Sequence, residues 1–552
     1  MMKRAVIVPD WNRENVVPMA ELIQSTAIDA SSHTMAMPAF SPRHLNMLLL
    51  GLGFATGMEF YTADSINLCL TDISGSFGVS GDEASWSLTV YSSALFLGVP
   101  VCVWLAGYIG HKSYLIASVV LFAASSVVSA TAYSFDTMLV ARAFQGLAGA
   151  GLVVWWRGTV YMLLPKPMRS ESLMRVSTML YLSSAFGMLF SGYITDHVSW
   201  RLICVPNLAY AAVAIWFLLR YFPDLPLERS ERPTDWLGII LIVVTLVSLQ
   251  IILSRGQIDD WFGSPRIRML VWLGATALIL FAIWQTSPRN PAPLLRLDLL
   301  FDRYVLSSAL IGIFTGMILS GSLYLLPEFL RNVASQPLSA TQTGRVMAVY
   351  ALTAAAVRPL IVGIVARFGQ RKTICGALVC LIASMLLINR FLTTGTPATY
   401  FYLPLVLYAF CLSALLPSVG SGTVARIEQQ KLLDGVSLYM TFRQFGAALG
   451  VAAVTILVER RETLHSARLF DHLRASSQVV QDWMTTASNM IAARGGYSAL
   501  KSHDVATKLL AEVGGREAAT LAYADAFLFM ALIGVITLCL VPIIPPTPVA
   551  NK

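Results

Sequence analysis

Two carboxylic acids interrupt a long apolar run near the start of the sequence. Glu59 lies near the middle of that run, and Asp64 lies five residues further along. A carboxyl group in apolar surroundings favours its neutral form, so it can load and release a proton near neutral pH. One or both residues are therefore predicted proton carriers. The alternative is that they are structural partners of an arginine.

Four arginines lie within other apolar runs, although a charge at the centre of a membrane helix costs roughly 2.5–3.5 kcal/mol. They are Arg142, Arg157, Arg358 and Arg443. The stripe at helical spacing around Arg142 contains Gln145, Gly146, Gly149 and Trp156, with Arg157 at its edge. We predict that Arg142 couples to one of the acids and that the other three arginines form a basic vestibule. The alternative is that these long side chains reach back to the membrane surface.

The four arginines outnumber the two acids within the apolar runs. A cavity lined by these residues would therefore carry surplus positive charge. Such a cavity favours an anionic or zwitterionic cargo over a cation. Trp156, Tyr181 and Tyr324 are candidate aromatic walls for that cargo, although each of them alone is more often a packing residue than a ligand contact.

Lipid must be the solvent for most of this chain. Of its 552 residues, 56% are hydrophobic and only 13% are charged, and a soluble chain cannot bury that much apolar surface. The net charge of +8 does not indicate nucleic-acid binding, because Lys and Arg lie mainly in short connections between apolar runs. The seven cysteines show no metal or redox spacing.

Fourteen apolar runs are long enough to cross roughly 30 Å of hydrocarbon. They lie at about 45–72, 84–109, 114–133, 137–164, 171–196, 201–222, 236–254, 269–286, 304–330, 342–366, 373–392, 400–424, 435–459 and 523–544. The predicted fold is therefore an all-α polytopic membrane protein. Basic residues are concentrated in alternate connections, which places both termini in the cytosol by the positive-inside rule.

A repeat within the chain indicates two related halves. Tyr91, Pro100 and Gly110 recur 259 residues later as Tyr350, Pro359 and Gly369. Two six-helix halves around a central cavity are typical of alternating-access transporters. The predicted boundaries are a tail at 1–44, a first half at 45–222, a linker with two further spans at 223–303, a second half at 304–545 and a tail at 546–552.

From about residue 45 to 545 the chain resembles the major facilitator superfamily, specifically its fourteen-span drug:proton antiporters of the EmrB/QacA type. LVARAFQGLAGAG (139–151) is similar to the family's fourth-span Arg-x-x-Gln-Gly motif, which carries over Arg142, Gln145 and Gly146. WRLICVPN (200–207) resembles the span-six motif that ends in Asn207, and RQFGAALGVA (443–452) resembles the span-thirteen signature that begins at Arg443. The resemblance implies proton-coupled export across a bacterial inner membrane, without a cofactor.

Three motifs depart from the family pattern. GMLFSG (187–192) keeps Gly187 and Gly192 of the span-five motif, but Met188 replaces its proline. The first cytosolic loop, VWLAGYIGHK (103–112), lacks the usual Asp and Arg. The acid position of the first span is occupied by Thr62, with Glu59 and Asp64 on either side.

The predicted function is the exchange of protons for an amphipathic organic molecule, such as a drug, an anionic metabolite or a siderophore. An anion uniporter or importer is the first alternative, and a non-transporting membrane sensor or scaffold is the second. No nucleophile–base set, phosphate loop or metal cluster is present in the sequence, so we predict neither an enzyme nor ATP coupling. The predicted partners are the cargo, protons and the lipid bilayer, with no nucleic acid.

The outer segment 460–522 contains amphipathic runs, with Ser502 or Asp504 as a possible helix cap and Gly514-Gly515 as the predicted helix end. A folded helical segment here suits the docking of a periplasmic adaptor protein and, through it, an outer-membrane channel. Plain extensions of spans thirteen and fourteen fit the same sequence.

Overall fold

The structure is a computed structural model that describes residues 41–224, 234–257, 259–291, 293–424, 432–472, 477–495 and 498–543. Within these ranges the regular structure is helical. The α-helices, numbered α1 to α15 in chain order, are Pro42–Phe77, Gly81–Ile109, His111–Thr131, Phe135–Leu163, Lys166–His197, Val205–Tyr221, Trp236–Arg255, Pro265–Thr286, Arg303–Glu328, Ala340–Phe368, Gln370–Phe391, Tyr402–Val424, Leu432–His472, Gln478–Gly495 and Ala499–Leu540.

The all-α polytopic fold is confirmed. In the described part of the chain, 13 helices are long and apolar enough to cross a membrane. These are α2 to α13 and α15, so they match spans two to fourteen of the sequence prediction. Helix α1, of 36 residues, occupies the place of span one and carries both Glu59 and Asp64.

The last two spans are much longer than their predicted ranges. Helix α13 has 41 residues and α15 has 42, and both continue into the segment 460–522. A separate helix, α14, lies between them in the sequence and packs against α15. The predicted break at Gly514-Gly515 is wrong, because α15 runs through both glycines and begins at a cap on Ser498 rather than at Ser502 or Asp504. Packing against α13 and α14 offsets the helical cost of glycine, which is about 1 kcal/mol per residue.

The two helices that carry the repeat, α2 and α10, share more features than the Tyr, Pro and Gly that identified it. Helices α2 and α10 each have 29 residues and contain Pro100 and Pro359 respectively. Each begins with a capping box, formed by Ser80 with Glu83 and by Ser339 with Gln342. Each ends at a glycine in the left-handed region, Gly110 at φ 92° and Gly369 at φ 81°. These glycines let two consecutive helices meet without a loop, since residues with a Cβ disfavour that conformation.

Three helix pairs join α1–α6 to α9–α15, and we call this boundary the seam. Helix α5 packs along α10, and α13 packs against α2 and α4. The α5–α10 contact is close, and it requires glycine at two positions. A Cβ on Gly192 would lie 2.5 Å from the Ala340 carbonyl oxygen, and one on Gly344 would overlap the Met188 carbonyl oxygen. Gly187 plays the same part toward α1, where a Cβ would lie 2.7 Å from the Tyr61 carbonyl oxygen.

The two extra spans, α7 and α8, pack on each other, and α7 also packs on α2 and α13. The Asp235 carboxylate caps α7 and accepts hydrogen bonds from Trp284 Nε1 at 2.6 Å, Gln285 Nε2 at 2.6 Å and Asn290 Nδ2 at 2.9 Å. Burial alone raises the pKa of Asp235, but these bonds and the Gly238 amide outweigh it and hold the pKa below its ordinary value. An ionised Asp235 therefore ties the helix pair together.

Candidate functional site

Glu59 sits halfway along α1 and is hydrogen-bonded within the first half. The Tyr91 hydroxyl on α2 lies 3.4 Å from Glu59 Oε1. Gly149 on α4 leaves room for this pair, because a Cβ there would lie 3.3 Å from the Tyr91 hydroxyl and 3.5 Å from Glu59 Cγ. Gly146 serves the same purpose one turn away, where a Cβ would overlap the Tyr91 carbonyl oxygen.

Arg142 reaches Glu59 through Tyr91 rather than directly. Its guanidinium carbon lies 4.1 Å from the centroid of the Tyr91 ring, and the residue is 0% exposed. It donates from Nε to the Ser87 carbonyl oxygen at 3.1 Å and from Nη1 to Gln145 Oε1 at 2.5 Å. The predicted coupling of Arg142 to an acid would therefore pass through Tyr91, whose hydroxyl contacts the Glu59 carboxylate.

Gln145 belongs to a polar network around Arg142. Its Nε2 donates to the Ser126 hydroxyl at 2.7 Å, which also accepts from Asn207 Nδ2 at 3.2 Å, and Asn207 Nδ2 bonds Thr62 Oγ1 at 2.9 Å. The family-motif residues Gln145 and Asn207 are therefore brought together, but in packing that orients Arg142 and not beside the other three arginines.

Asp64 is hydrogen-bonded to both sides of the seam. The Ser184 hydroxyl on α5 donates to Asp64 Oδ2, and the Tyr350 hydroxyl on α10 lies 3.3 Å from Asp64 Oδ1. Tyr350 is fully buried and packs edge-on against Tyr408 of α12, with ring centroids 5.8 Å apart. The acid in the first half is thus held by a hydroxyl of the second half.

The two tyrosines that touch the acids are the repeat-related pair Tyr91 and Tyr350. Sequence reasoning found them through their 259-residue offset but missed what they contact. The signal for a shared role was present, because a polar hydroxyl recurs at the same position of two apolar helices. Which acid each hydroxyl reaches depends on how α1 passes between α2 and α10, and no local pattern encodes that path.

Arg157 and Arg443 converge between α4 and α13, together with Trp156 and Tyr439. We call these four residues the basic cluster. The Arg157 guanidinium carbon lies 4.4 Å from the centroid of the Trp156 ring, and its Nη1 contacts Met440 Sδ at 3.7 Å. Arg443 Nη2 donates to Gln444 Oε1 at 2.9 Å.

Hydrogen-bonding capacity remains unused in the basic cluster. Trp156 Nε1, Arg443 Nε and the Tyr439 hydroxyl are buried and have no hydrogen-bond partner among the described residues. Neither arginine lies within 4.0 Å of a carboxylate oxygen in the described ranges, although Glu59 is an electrostatic neighbour of Arg443. Unpaired donors beside two arginines that no described carboxylate contacts are suited to an anionic group.

The remaining predicted binding residues lie elsewhere. Arg358 is 3% exposed and is tied across the seam, from Nε to the Ser177 hydroxyl at 2.9 Å, and within its own half, from Nη1 to the Ser413 carbonyl oxygen at 2.7 Å. The Tyr181 hydroxyl donates to the Leu412 carbonyl oxygen at 3.3 Å and lies in the electrostatic field of all three arginines. Tyr324 lies close to the far end of α9 and to Tyr523 of α15.

Comparisons with known proteins show the family and the fold of the chain. Residues 49–451 match the sequence model of the family described as the Major Facilitator Superfamily. Multidrug export protein EmrB of Haemophilus influenzae is 23% identical over 443 residues, covering 80% of this chain and 85% of its own length. Fatty acid resistance protein FarB of Neisseria gonorrhoeae is 25% identical over 466 residues, covering 81% of this chain and 87% of its own. Among solved structures, a POT family transporter in complex with 5-aminolevulinic acid aligns with a TM-score of 0.59 at 13% identity, covering 92% of this chain and 98% of that one.

Proposed function

The chain belongs to the Major Facilitator Superfamily and is an efflux transporter of its drug:proton antiporter branch; from this premise we propose that its cargo is an amphipathic organic molecule with an anionic head group. The basic cluster carries this proposal. Two arginines without a carboxylate partner attract a negative charge, and three unpaired donors offer it hydrogen bonds. The indole of Trp156 stacks under one arginine and adds an apolar surface for the rest of the cargo.

The two acids have different relations to an anion in the basic cluster. Ionised Glu59 competes with the anion for the field of Arg443, so anion binding favours the protonated form of Glu59. That linkage makes proton and anion bind together, which is the opposite of exchange. Asp64, whose described hydrogen-bond partners are two hydroxyl groups, is therefore the better site for the exchanged proton.

The orientation follows from the basic connections. Both termini face the cytosol of a bacterial cell whose inner membrane the protein spans, and the basic cluster lies toward the cytosolic ends of α4 and α13. Arg157 is six residues from the end of α4, or about 9 Å along the helix axis. This depth supports loading of the cargo from the cytosolic side.

The extensions of α13 and α15, with α14, are the proposed docking surface for a periplasmic adaptor protein that leads to an outer-membrane channel. Val479, Met490 and Leu500 are 77%, 54% and 80% exposed on these helices, so a partner that docked here would find apolar side chains to cover. Photo-crosslinking from position 479 in cells tests the docking, and crosslinks to lipid alone would contradict it.

The central experiment measures proton exchange in proteoliposomes with an imposed pH gradient. The cargo probe is a dansylated alkyl sulfonate, whose permanent charge prevents it from carrying protons by itself, and the controls are the alcohol and the trimethylammonium compound of the same chain length. We expect the sulfonate to collapse the gradient, and Asp64→Asn to abolish this collapse while sulfonate counterflow continues.

Three other outcomes each contradict the proposal. Collapse by the trimethylammonium compound alone overturns the anionic cargo. Sulfonate movement without protons points to a uniporter. Binding without movement of any compound points to a sensor or scaffold.

A further inference from the structure

Asp64 is the acid whose hydrogen bonding depends on how the two halves meet. Its partner Tyr350 belongs to α10, whereas Tyr91, the partner of Glu59, belongs to α2 in the same half as α1. Relative movement of the halves therefore breaks the Asp64–Tyr350 contact and leaves the Glu59–Tyr91 contact intact.

The structure is closed at the end of the bundle beyond Asp64, which is the proposed outer end. The Asp196 carboxylate at the end of α5 accepts from the amides of Ala340 at 3.2 Å and Thr341 at 2.7 Å at the start of α10. Arg331 pairs with Asp72 at 3.1 Å and also donates to the Leu68 carbonyl oxygen. The Tyr350–Asp64 bond is the innermost member of this set of contacts along α10 and α1.

We propose that Tyr350 and Asp64 form a proton-controlled latch, in which ionised Asp64 holds the outer side closed and protonated Asp64 releases it. An ionised carboxylate accepts from both the Ser184 and Tyr350 hydroxyls, and such charge-assisted bonds are about twice as strong as neutral ones. Protonation gives the Asp64 carboxyl group an O–H donor of its own, at a place where the hydroxyls of Ser184 and Tyr350 already donate to it. The bond across the seam is then the one that weakens, because Ser184 and Asp64 remain in the same half.

The Tyr350 hydroxyl also lies 3.5 Å from the Ser184 hydroxyl, at the limit of a hydrogen bond and without the charge of Asp64. The other charged and titratable groups around Asp64 do not offer Tyr350 a substitute. They are Glu59 on the same helix, Tyr91 on α2 and Tyr408 on α12. The Tyr408 hydroxyl donates to the Leu319 carbonyl oxygen at 3.0 Å, and Tyr91 bonds Glu59. Arg358, two turns along α10, is occupied by Ser177 and Ser413.

The latch suits an exporter that exchanges protons. It rests on the proposed function, in which Asp64 releases its proton to the cytosol before cargo binds. An empty, deprotonated carrier that reopened outward would take up another proton and leak the gradient. By holding the empty ionised form closed, Tyr350 makes outward opening depend on the binding free energy of the cargo.

The test uses Tyr350→Phe, with Tyr61→Phe as its matched control. Both changes remove one buried tyrosine hydroxyl, but the Tyr61 hydroxyl donates to the Ile203 carbonyl oxygen at 2.7 Å within the first half, so it neither touches an acid nor crosses the seam. In proteoliposomes without cargo, we expect Tyr350→Phe to raise the proton leak about ten-fold, which corresponds to the loss of one hydrogen bond to a charged group. Tyr61→Phe should leak like the unmodified protein.

A second measurement follows the opening itself. Spin labels at Val198→Cys and Gln336→Cys, in a background without the seven native cysteines, report the distance across the outer side. We expect this distance to increase on acidification in the unmodified protein, to be long at every pH in Asp64→Asn, and to lose its pH response in Tyr350→Phe.

The latch is overturned if Tyr350→Phe folds, binds the sulfonate and leaks no more than the unmodified protein, or if Tyr61→Phe leaks as much as Tyr350→Phe. These results are distinguishable from failure of the proposed function. If the proposed function were wrong, Asp64→Asn would still exchange protons for the sulfonate, whatever the behaviour of Tyr350.

Discussion

Replacement of Arg443 by glutamine tests the cargo site most directly. Arg443 is half-buried on α13, and its Nε has no hydrogen-bond partner in the described part of the chain. Two unit charges about 5 Å apart interact by about 3.3 kcal/mol at an effective dielectric constant of about 20, and by about 0.8 kcal/mol in water. A half-buried site lies between these limits, so Arg443→Gln should weaken binding of the sulfonate by about 1–3 kcal/mol, or about 5- to 150-fold.

The assay is a fluorescence titration of the dansylated sulfonate into purified protein in nanodiscs. Arg157→Gln should weaken binding by a similar factor. Arg289→Gln, which removes the same charge from an exposed connection, should change it by less than about two-fold, because exposed charges are screened.

The uncharged alcohol of the same chain length separates charge from packing. Its affinity should be unchanged in Arg443→Gln, and that of the trimethylammonium compound should rise. Equal losses for the sulfonate and the alcohol would refute the electrostatic argument, since they would show that Arg443 acts through packing.

Three further changes test other parts of the structure. Glu59→Gln should strengthen sulfonate binding and flatten its pH dependence, because ionised Glu59 no longer competes for positive charge; weaker binding in titrations across pH would argue against this linkage. Gly149→Val should displace Tyr91 and cost about 1–3 kcal/mol through overpacking, whereas Gly149→Ala should be nearly neutral, as thermal unfolding would show; equal effects of the two would contradict the tight fit. Asp235→Asn should destabilise the protein by about 1–3 kcal/mol at neutral pH by leaving buried donors unpaired. Because the folded-state pKa of Asp235 is depressed, this stabilisation is present above about pH 4 and is lost as the pH falls through the folded-state pKa, so a difference in unfolding temperature that persisted in acid would exclude the ionised cap.

The sequence by itself determined the spans, the repeat and the family. Apolar runs of membrane length identify helices because lipid leaves the backbone no other partner, and twelve of the fourteen predicted ranges end within about five residues of the observed helices. The exceptions are α13 and α15, whose outer ends lie beyond the membrane. There the helix ends depend on packing between helices and not on the sharp change from lipid to water.

Only the tertiary structure decided which polar groups meet. Arg142 and Glu59 both stood out as buried charges, yet the side chain between them, Tyr91, came from a third helix and was marked in the sequence only as a residue of the repeat. Arg157, Arg358 and Arg443 looked alike, but Arg358 is satisfied by Ser177 and Ser413 whereas the other two remain without a carboxylate partner among the described residues. Tyr350 and Asp64 are 286 residues apart in the chain. Periodicity reports which face of its own helix a residue occupies, whereas a hydrogen bond requires atoms of two helices within about 3.5 Å, and only the packing of the bundle sets that distance.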